Sequence, residues 1–126
     1  YTHFRKAQKA SRPFRVLMFC LDRPREELYA RIDARMDAMI TQGLIDEAEQ
    51  FSEFKSNYAL KTLGYKEVYG FLAGKYGEGE MVRLLKRNSR HYAKKQLTWF
   101  RHQAEFTWLH PNEAITEILG RINVEK

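Results

Sequence analysis

The stretch that decides the fold covers residues 81–101 and reads MVRLLKRNSRHYAKKQLTWFR. It is the centre of the longest predicted helix in the chain, from about Glu80 to Gln103. At 100° per residue, one side of this helix gathers the large apolar side chains within about 60° of Leu85. That side is the predicted core face, and its other members are Met81, Val82, Tyr92, Trp99 and Phe100.

The opposite side of the predicted helix carries a stripe of cations: Arg83, Arg87, Arg90, Lys94 and Arg101. The stripe is about 60° wide and roughly 27 Å long at a rise of 1.5 Å per residue. Like charges at these spacings repel by a few tenths of a kcal/mol per pair, and residues 81–101 contain no acidic residue. The stripe therefore favours a phosphate backbone as partner over a solvated face, which normally mixes both signs.

The chain as a whole has 126 residues and a net charge of +6, distributed unevenly. Residues 1–20 and 81–101 are basic, whereas residues 21–56 carry more acidic than basic groups. An apolar content of 44% with 13% aromatic residues predicts one folded domain. No apolar run is long enough to span a bilayer, so we expect a cytoplasmic protein without membrane contact.

Upstream of the long helix, the apolar run 14–21 predicts one strand buried on both faces, with a short buried helix as the alternative. Further helices are predicted from an N-cap at Asp22 to Gly43, at about 45–55, at 65–76 and after Pro111. The predicted fold class is therefore mainly α, with one strand. A lone strand leaves backbone groups unpaired. We expect it to belong to an absent parallel sheet, to pair between copies of the chain, or to fold back over the helices.

Catalytic motifs are missing from this sequence, because it has no glycine-rich phosphate loop, no nucleophile elbow and no metal-ligand spacing. Arg31 and Arg35 are spaced to clamp an anion on the first helix. The neighbouring carboxylates of Glu27, Asp33 and Asp37 are equally well spaced to pair with them.

For the function of the whole chain, the sequence leaves two classes open besides the one given below. They are a self-contained helix-turn-helix module that binds nucleic acid and a domain that binds an acidic protein.

Four motifs occur in a fixed order between about residues 14 and 110. They are LDRPREELY at 21–29 leading into Arg31 and Arg35, Gly43-Leu44 with Glu47, LGYKE at 63–67, and SRHYAKKQLTWFR at 89–101. Together they resemble the C-terminal part of bacterial tRNA dimethylallyltransferases, also called tRNA isopentenyltransferases. The sequence departs from that pattern at Lys61, Ser89 and Lys95, where Gln, Thr and Arg are usual.

The resemblance implies a C-terminal fragment over residues 1–126, with a basic lead and sheet strand at 1–21 and a helical tRNA-binding part at 22–126. The strand would belong to a P-loop α/β core that this chain lacks. The family transfers a dimethylallyl group from dimethylallyl diphosphate to N6 of the adenine 3′ of the tRNA anticodon. The reaction uses magnesium, whose ligands lie outside this fragment, and releases pyrophosphate. We expect the fragment alone to be inactive.

The resemblance also implies two tRNA-contacting stretches, to which the cation stripe adds further residues. The predicted contacts with the anticodon stem-loop are Lys61, Thr62, Leu63, Gly64, Tyr65, Lys66, Arg83, Arg87, Arg90, Lys94, Lys95, Gln96, Thr98, Trp99 and Arg101. Tyr65, His91 and Trp99 are candidates to stack on bases. By the same resemblance, Arg31 or Arg35 is the candidate contact for the leaving pyrophosphate.

Overall fold

The computed structural model describes residues 11–103 and 105–124, and the first ten residues of the predicted basic lead lie outside them. Helices dominate, which confirms the predicted fold class. In chain order the elements are β1 (Phe19–Leu21), α1 (Arg25–Thr41), α2 (Leu44–Gln50), two short 3-10 turns (Ser52–Phe54 and Tyr58–Lys61), α3 (Tyr65–Leu72), α4 (Glu78–Gln103), β2 (Thr107–Leu109) and α5 (Pro111–Val124).

The strand β1 has a partner within the chain, because it pairs in parallel with β2. The pairing extends past both ends of β1: the Thr107 amide donates to the Met18 carbonyl at 3.0 Å, and the Asp22 amide donates to the Leu109 carbonyl at 2.9 Å. The prediction of an unpaired strand was therefore wrong for this segment. The sequence analysis missed β2, since three residues are too few to show an alternating pattern.

The observed strand is also shorter than the predicted strand over residues 14–21. Only residues 19–21 form β1. Phe14 and Val16 to Met18 lie outside it and are exposed, so this part of the run is neither buried on both faces nor folded back over the helical core. Within the run, the parallel residue pairs with β2 are formed by residues 19–21, and β2 lies in the segment that follows α4.

Helix α1 has a proline at its N-cap and a glycine just beyond its C-terminal end. Pro24 takes the N-cap position, and the Leu28 amide donates to its carbonyl at 3.0 Å. The prediction that Asp22 is the N-cap is wrong. The Asp22 carboxylate lies 3.4 Å from the guanidinium of Arg101 instead. At the other end Gly43 has φ +107°, which confirms the predicted left-handed glycine after the helix.

The two middle helices are shorter than predicted. Helix α2 ends at Gln50, ahead of the predicted boundary at 55, and α3 ends at Leu72 rather than 76. After α3 the chain turns back so that the Tyr76 hydroxyl donates to the Glu67 carbonyl at 2.6 Å. Gly70 allows this turn, because a Cβ there would lie 2.2 Å from the Tyr76 hydroxyl oxygen.

The core lies where α1, α2, α3 and α4 meet. Its buried apolar residues are Met36, Leu44, Ala48, Val68, Met81 and Leu85. Along α4 the buried positions are Met81, Leu85 and Ser89, and the Ser89 hydroxyl lies 3.5 Å from the sulfur of Met36. Each step of four residues turns this buried line by about 40°, so it winds around α4. Tyr92 and Trp99, predicted in the core, are consequently 56% and 55% exposed.

Candidate nucleic-acid interface

A groove of about 450 Å³ lies between the beginning of α3 and the middle of α4. We call it the basic groove, and it is lined by Lys61, Leu63, Lys66, Glu67, Arg87, Asn88, His91, Tyr92 and Lys95. A second cavity of about 490 Å³ adjoins it, shares Lys61, Lys66 and Arg87, and adds Lys55 and Lys75. The groove thus brings the first predicted tRNA-contacting stretch, through Lys61 and Lys66, together with Lys95 of the second and with Arg87 of the cation stripe.

The first wall of the basic groove is built by the segment between the second 3-10 turn and α3. The Asn57 side chain begins the turn by accepting from the Ala59 amide at 3.1 Å, and Lys61 ends it. Gly64 then has φ +101°, a conformation that L side chains rarely adopt, and the chain enters α3. This turn places Lys61 and Lys66 on the same groove.

A hydrogen-bond network connects this wall to α4. Glu67 is only 4% exposed, and its two oxygens accept from the Gly64 amide and from the Asn88 side-chain nitrogen, each at 2.8 Å. The Asn88 oxygen in turn accepts from Nε and Nη2 of Arg87 at 3.2 and 3.1 Å. Among the described residues that line the two cavities, Glu67 is the one acidic residue. Its charge is engaged by these neutral donors.

Three of the five cations in the stripe of α4 form ion pairs, and the prediction that no local acidic residue relieves its repulsion is wrong at Arg83, which pairs with Glu80. Because the buried line winds around α4, Arg90 and its neighbour Lys86, which is not part of the stripe, approach the acidic helix α1, and Arg101 meets the β1–α1 connection. The ion pairs are Arg83–Glu80 at 2.6 Å, Lys86–Asp37 at 2.9 Å, Arg90–Asp33 at 2.7 Å and Arg101–Asp22 at 3.4 Å. Within the described part of the chain, Lys94 and Lys95 form no ion pair.

Tyr65, at the beginning of α3, connects that helix to α2. Its hydroxyl donates to Glu47 at 2.5 Å, and this hydrogen bond raises the pKa of the phenol above its usual value. The ring also stacks on Tyr69, with centroids 6.2 Å apart. The structure therefore engages Tyr65 in holding α3 against α2, whereas the sequence analysis proposed it as a base-stacking residue.

The predicted contacts near the end of α4 lie outside the basic groove. Gln96 lines a separate cavity beside β1, and the Thr98 hydroxyl donates to the Lys94 carbonyl at 2.9 Å. Trp99 is exposed and meets Phe100 edge to face, with ring centroids 4.9 Å apart. The guanidinium of Arg101 lies 5.2 Å from the centre of the Trp108 ring. Of the turn residues, Thr62 directs its hydroxyl to the Ala59 carbonyl.

Several residues that line the two cavities were not predicted as binding residues or were assigned elsewhere, among them Lys55, Lys75, Asn88, His91 (considered only for stacking) and Tyr92. Helical periodicity could have identified Asn88, His91 and Tyr92, because they share one side of the helix with the predicted contact Lys95. Lys55 and Lys75 had no such signal, since each lies outside a long helix and reaches the cavity only through the fold.

Arg31 and Arg35 are exposed on α1 and border a shallow depression with Ile32 and Ala34. The carboxylates that were candidate partners bind elsewhere: Glu27 pairs with Arg23 and His110, Asp33 with Arg90, and Asp37 with Lys86. Local pairing does not occur, and in the described residues neither arginine forms an ion pair.

Among residues 11–103 and 105–124, no three His, Cys, Asp or Glu side chains converge on a point that could hold a metal ion. No helix among these residues is long and apolar enough to cross a membrane.

The sequence and the fold of this chain match a known class of proteins. The family model described as IPP transferase matches residues 1–103, so the chain belongs to the IPP transferase family. It is 54% identical over 115 residues to the tRNA dimethylallyltransferase of Cytophaga hutchinsonii, covering 91% of the chain and 38% of that protein. It is 42% identical over 125 residues to tRNA dimethylallyltransferase 1 of Bacteroides thetaiotaomicron, covering 99% and 40%.

Two solved structures have the same fold. A tRNA delta(2)-isopentenylpyrophosphate transferase from Staphylococcus epidermidis superposes with a TM-score of 0.80 at 33% identity, covering 87% of this chain and 38% of that one. A full-length tRNA isopentenylpyrophosphate transferase from Bacillus halodurans gives 0.79 at 40% identity, covering 88% and 39%. The chain spans about two fifths of the length of these relatives.

Proposed function

We propose that this chain is the C-terminal, tRNA-binding portion of a tRNA dimethylallyltransferase. In the parent enzyme, N6 of the adenine 3′ of the anticodon attacks C1 of dimethylallyl diphosphate. The new C–N bond forms as the C–O bond breaks, N6 gives its proton to a base supplied by the rest of the parent enzyme, and pyrophosphate leaves. The names of the relatives support the reaction class. We expect the protein in the cytoplasm.

One observation carries the tRNA-binding role: two stretches far apart in the sequence meet on one groove. Lys61 and Lys66 face Arg87 and Lys95 across it. Four cations around a groove neutralise phosphates and release their counterions, which is the main source of affinity for a nucleic-acid backbone. The second cavity extends the same positive surface through Lys55 and Lys75.

In this proposal the diphosphate substrate and its magnesium bind to other parts of the parent enzyme, because the sequence has no glycine-rich phosphate loop. Arg31 and Arg35 keep their role as candidate contacts for pyrophosphate. Both are exposed and make no ion pair with α1 carboxylates, so a planar guanidinium is available to a phosphate.

Fluorescence anisotropy of a labelled anticodon stem-loop tests the RNA-binding role. We expect the double variant Lys61→Gln/Lys66→Gln to bind more weakly and to reduce the salt dependence of binding by about one phosphate contact per lysine. Arg121→Gln, which removes an exposed cation on α5 far from the groove residues in sequence, is the matched control. Duplex DNA competing as well as the stem-loop would support the helix-turn-helix alternative instead.

Catalytic dependence on the rest of the enzyme is tested separately. The chain incubated with tRNA and dimethylallyl diphosphate should leave the tRNA unmodified, because the sequence has no glycine-rich loop to hold the diphosphate and nothing that matches the general base of the family. Time-dependent incorporation above a boiled control would show that the chain contains a catalytic centre of its own.

A further inference from the structure

We propose that Tyr92 is a stacking platform for one unpaired RNA base in the basic groove. Lys61, Lys66 and Lys95 would hold the phosphates beside that base. This inference rests on the proposed function and adds to it a site for a nucleobase, a group that the cation-lined groove alone does not require.

The exposure of Tyr92 is the first observation. The side chain is 56% exposed although its position on α4 predicts a core residue, because the buried line of the helix passes through Ser89 instead. Covering a half-exposed aromatic ring with a flat apolar surface is favourable, because it removes apolar area from water. The ring is therefore available to a partner.

The surroundings of Tyr92 identify the kind of partner. The groove that it lines also contains His91 and the three lysines, and its volume of about 450 Å³ is within the range of small-molecule sites. An exposed aromatic side chain within a positive groove is the combination that single-stranded nucleic acids require, since bases stack on the ring while cations follow the backbone. A paired base cannot reach such a ring, because it is stacked within its own helix.

The test compares Tyr92→Ala with Tyr92→Phe, using the stem-loop and a fully paired RNA duplex of equal charge. Stacking predicts that Tyr92→Ala weakens stem-loop binding by roughly 5- to 150-fold, whereas Tyr92→Phe stays within about twofold. The salt dependence should be unchanged in both variants, because no phosphate contact is lost. Binding of the duplex should not respond to either change.

Tyr58→Ala is the matched control, because Tyr58 is 88% exposed and lines neither cavity. Quenching of 2-aminopurine placed in the loop should occur with the parent chain and disappear in Tyr92→Ala. Equal affinity of Tyr92→Ala and the parent chain for the stem-loop would overturn the stacking site, even while the lysine variants still bind weakly. Absence of any stem-loop binding by the parent chain would overturn both the proposed function and this site.

Discussion

Glu67 is a buried acidic residue in a basic surface, and its two oxygens serve different elements. One accepts from the Gly64 amide at the turn into α3, and the other accepts from Asn88 on α4. The same Asn88 orients the guanidinium of Arg87. A single side chain thus forms hydrogen bonds with both walls of the basic groove.

Replacing Glu67 by Gln should reduce the free energy of unfolding by about 1–3 kcal/mol. An amide offers only one acceptor oxygen, so its NH₂ group would face either the Gly64 amide or the Asn88 nitrogen, and a buried donor would lose its partner. Urea denaturation measures the change. Glu49→Gln on α2, an exposed position, is the control and should stay within about 0.5 kcal/mol. Equal stability of the two variants would contradict this role.

Glu27 provides a pH-dependent contact between α1 and the end of β2. The hydrogen bond from Arg23, and next that from His110, lowers the pKa of this carboxyl below its usual value. A folded-state pKa below the unfolded one means that the ionised form stabilises the fold. The contribution is present above the ordinary glutamate value of about 4.3 and is lost as the pH falls through the folded pKa.

The corresponding variant is Glu27→Gln. It should be less stable than the parent chain at neutral pH, and the difference should shrink as the pH falls below about 4.3, since the parent carboxyl then becomes neutral too. Thermal unfolding followed by circular dichroism at several pH values measures it. Glu26→Gln removes an exposed carboxylate of the same helical turn and should show no such narrowing. A difference that does not depend on pH would contradict the ion-pair explanation.

At the scale of elements, α4 uses its cations in two ways. Arg90 and Lys86 reach Asp33 and Asp37 on α1, so these charges join two helices. Arg83 pairs within α4 itself, with Glu80. The cations that line the basic groove, Arg87 among them, form no ion pair with α1.

A double-mutant cycle on Arg90 and Asp33 should give a coupling of about 0.2–1 kcal/mol in the free energy of unfolding, because the pair is partly exposed. Arg83→Gln should leave the free energy of unfolding nearly unchanged, since its pair lies on one helix and both partners are exposed. RNA binding should depend on a different arginine. Arg87→Gln should reduce the salt dependence of binding more than Arg90→Gln or Arg83→Gln, because Arg87 lines the basic groove. Equal effects of all three on RNA would restore the continuous stripe predicted from the periodicity.

At the scale of the whole molecule, apolar surface remains exposed in several places among the described residues, and two of them lie near the ends of the described chain. One is the segment before β1, with Phe14, Val16 and Leu17, and the other is the outer side of α5, with Ile115 and Leu119. The sheet among the described residues has two strands, so each strand has one unpaired edge. Both features favour contact with further protein.

We therefore expect the chain to self-associate through residues 14–21, which sedimentation at high micromolar concentration measures. Leu17→Lys should reduce association because a charge on exposed apolar surface opposes burial. It should leave thermal stability nearly unchanged, since Leu17 is 36% exposed and lies outside β1. Thr116→Lys places the same charge on α5 as a control. A monomeric parent chain would contradict self-association.

The sequence by itself was sufficient for the elements whose signals are local. The period of 3.6 residues predicted α4 almost to its boundaries, and Gly43 predicted the end of α1, because a helix and its glycine cap depend on residues within a few positions of one another. The four motifs identified the family for the same reason, since each is a contiguous string.

The features that depend on contacts between residues far apart in the sequence were decided only by the tertiary structure. The partner of β1 lies after α4, and the carboxylates that pair with Arg90 and Arg101 lie on or before α1. The basic groove exists because the turn at Gly64 meets α4. A helical projection treats the buried side as a straight stripe, whereas packing follows a line that winds by about 40° every four residues. That rotation exposed Tyr92, which the sequence pattern had assigned to the core.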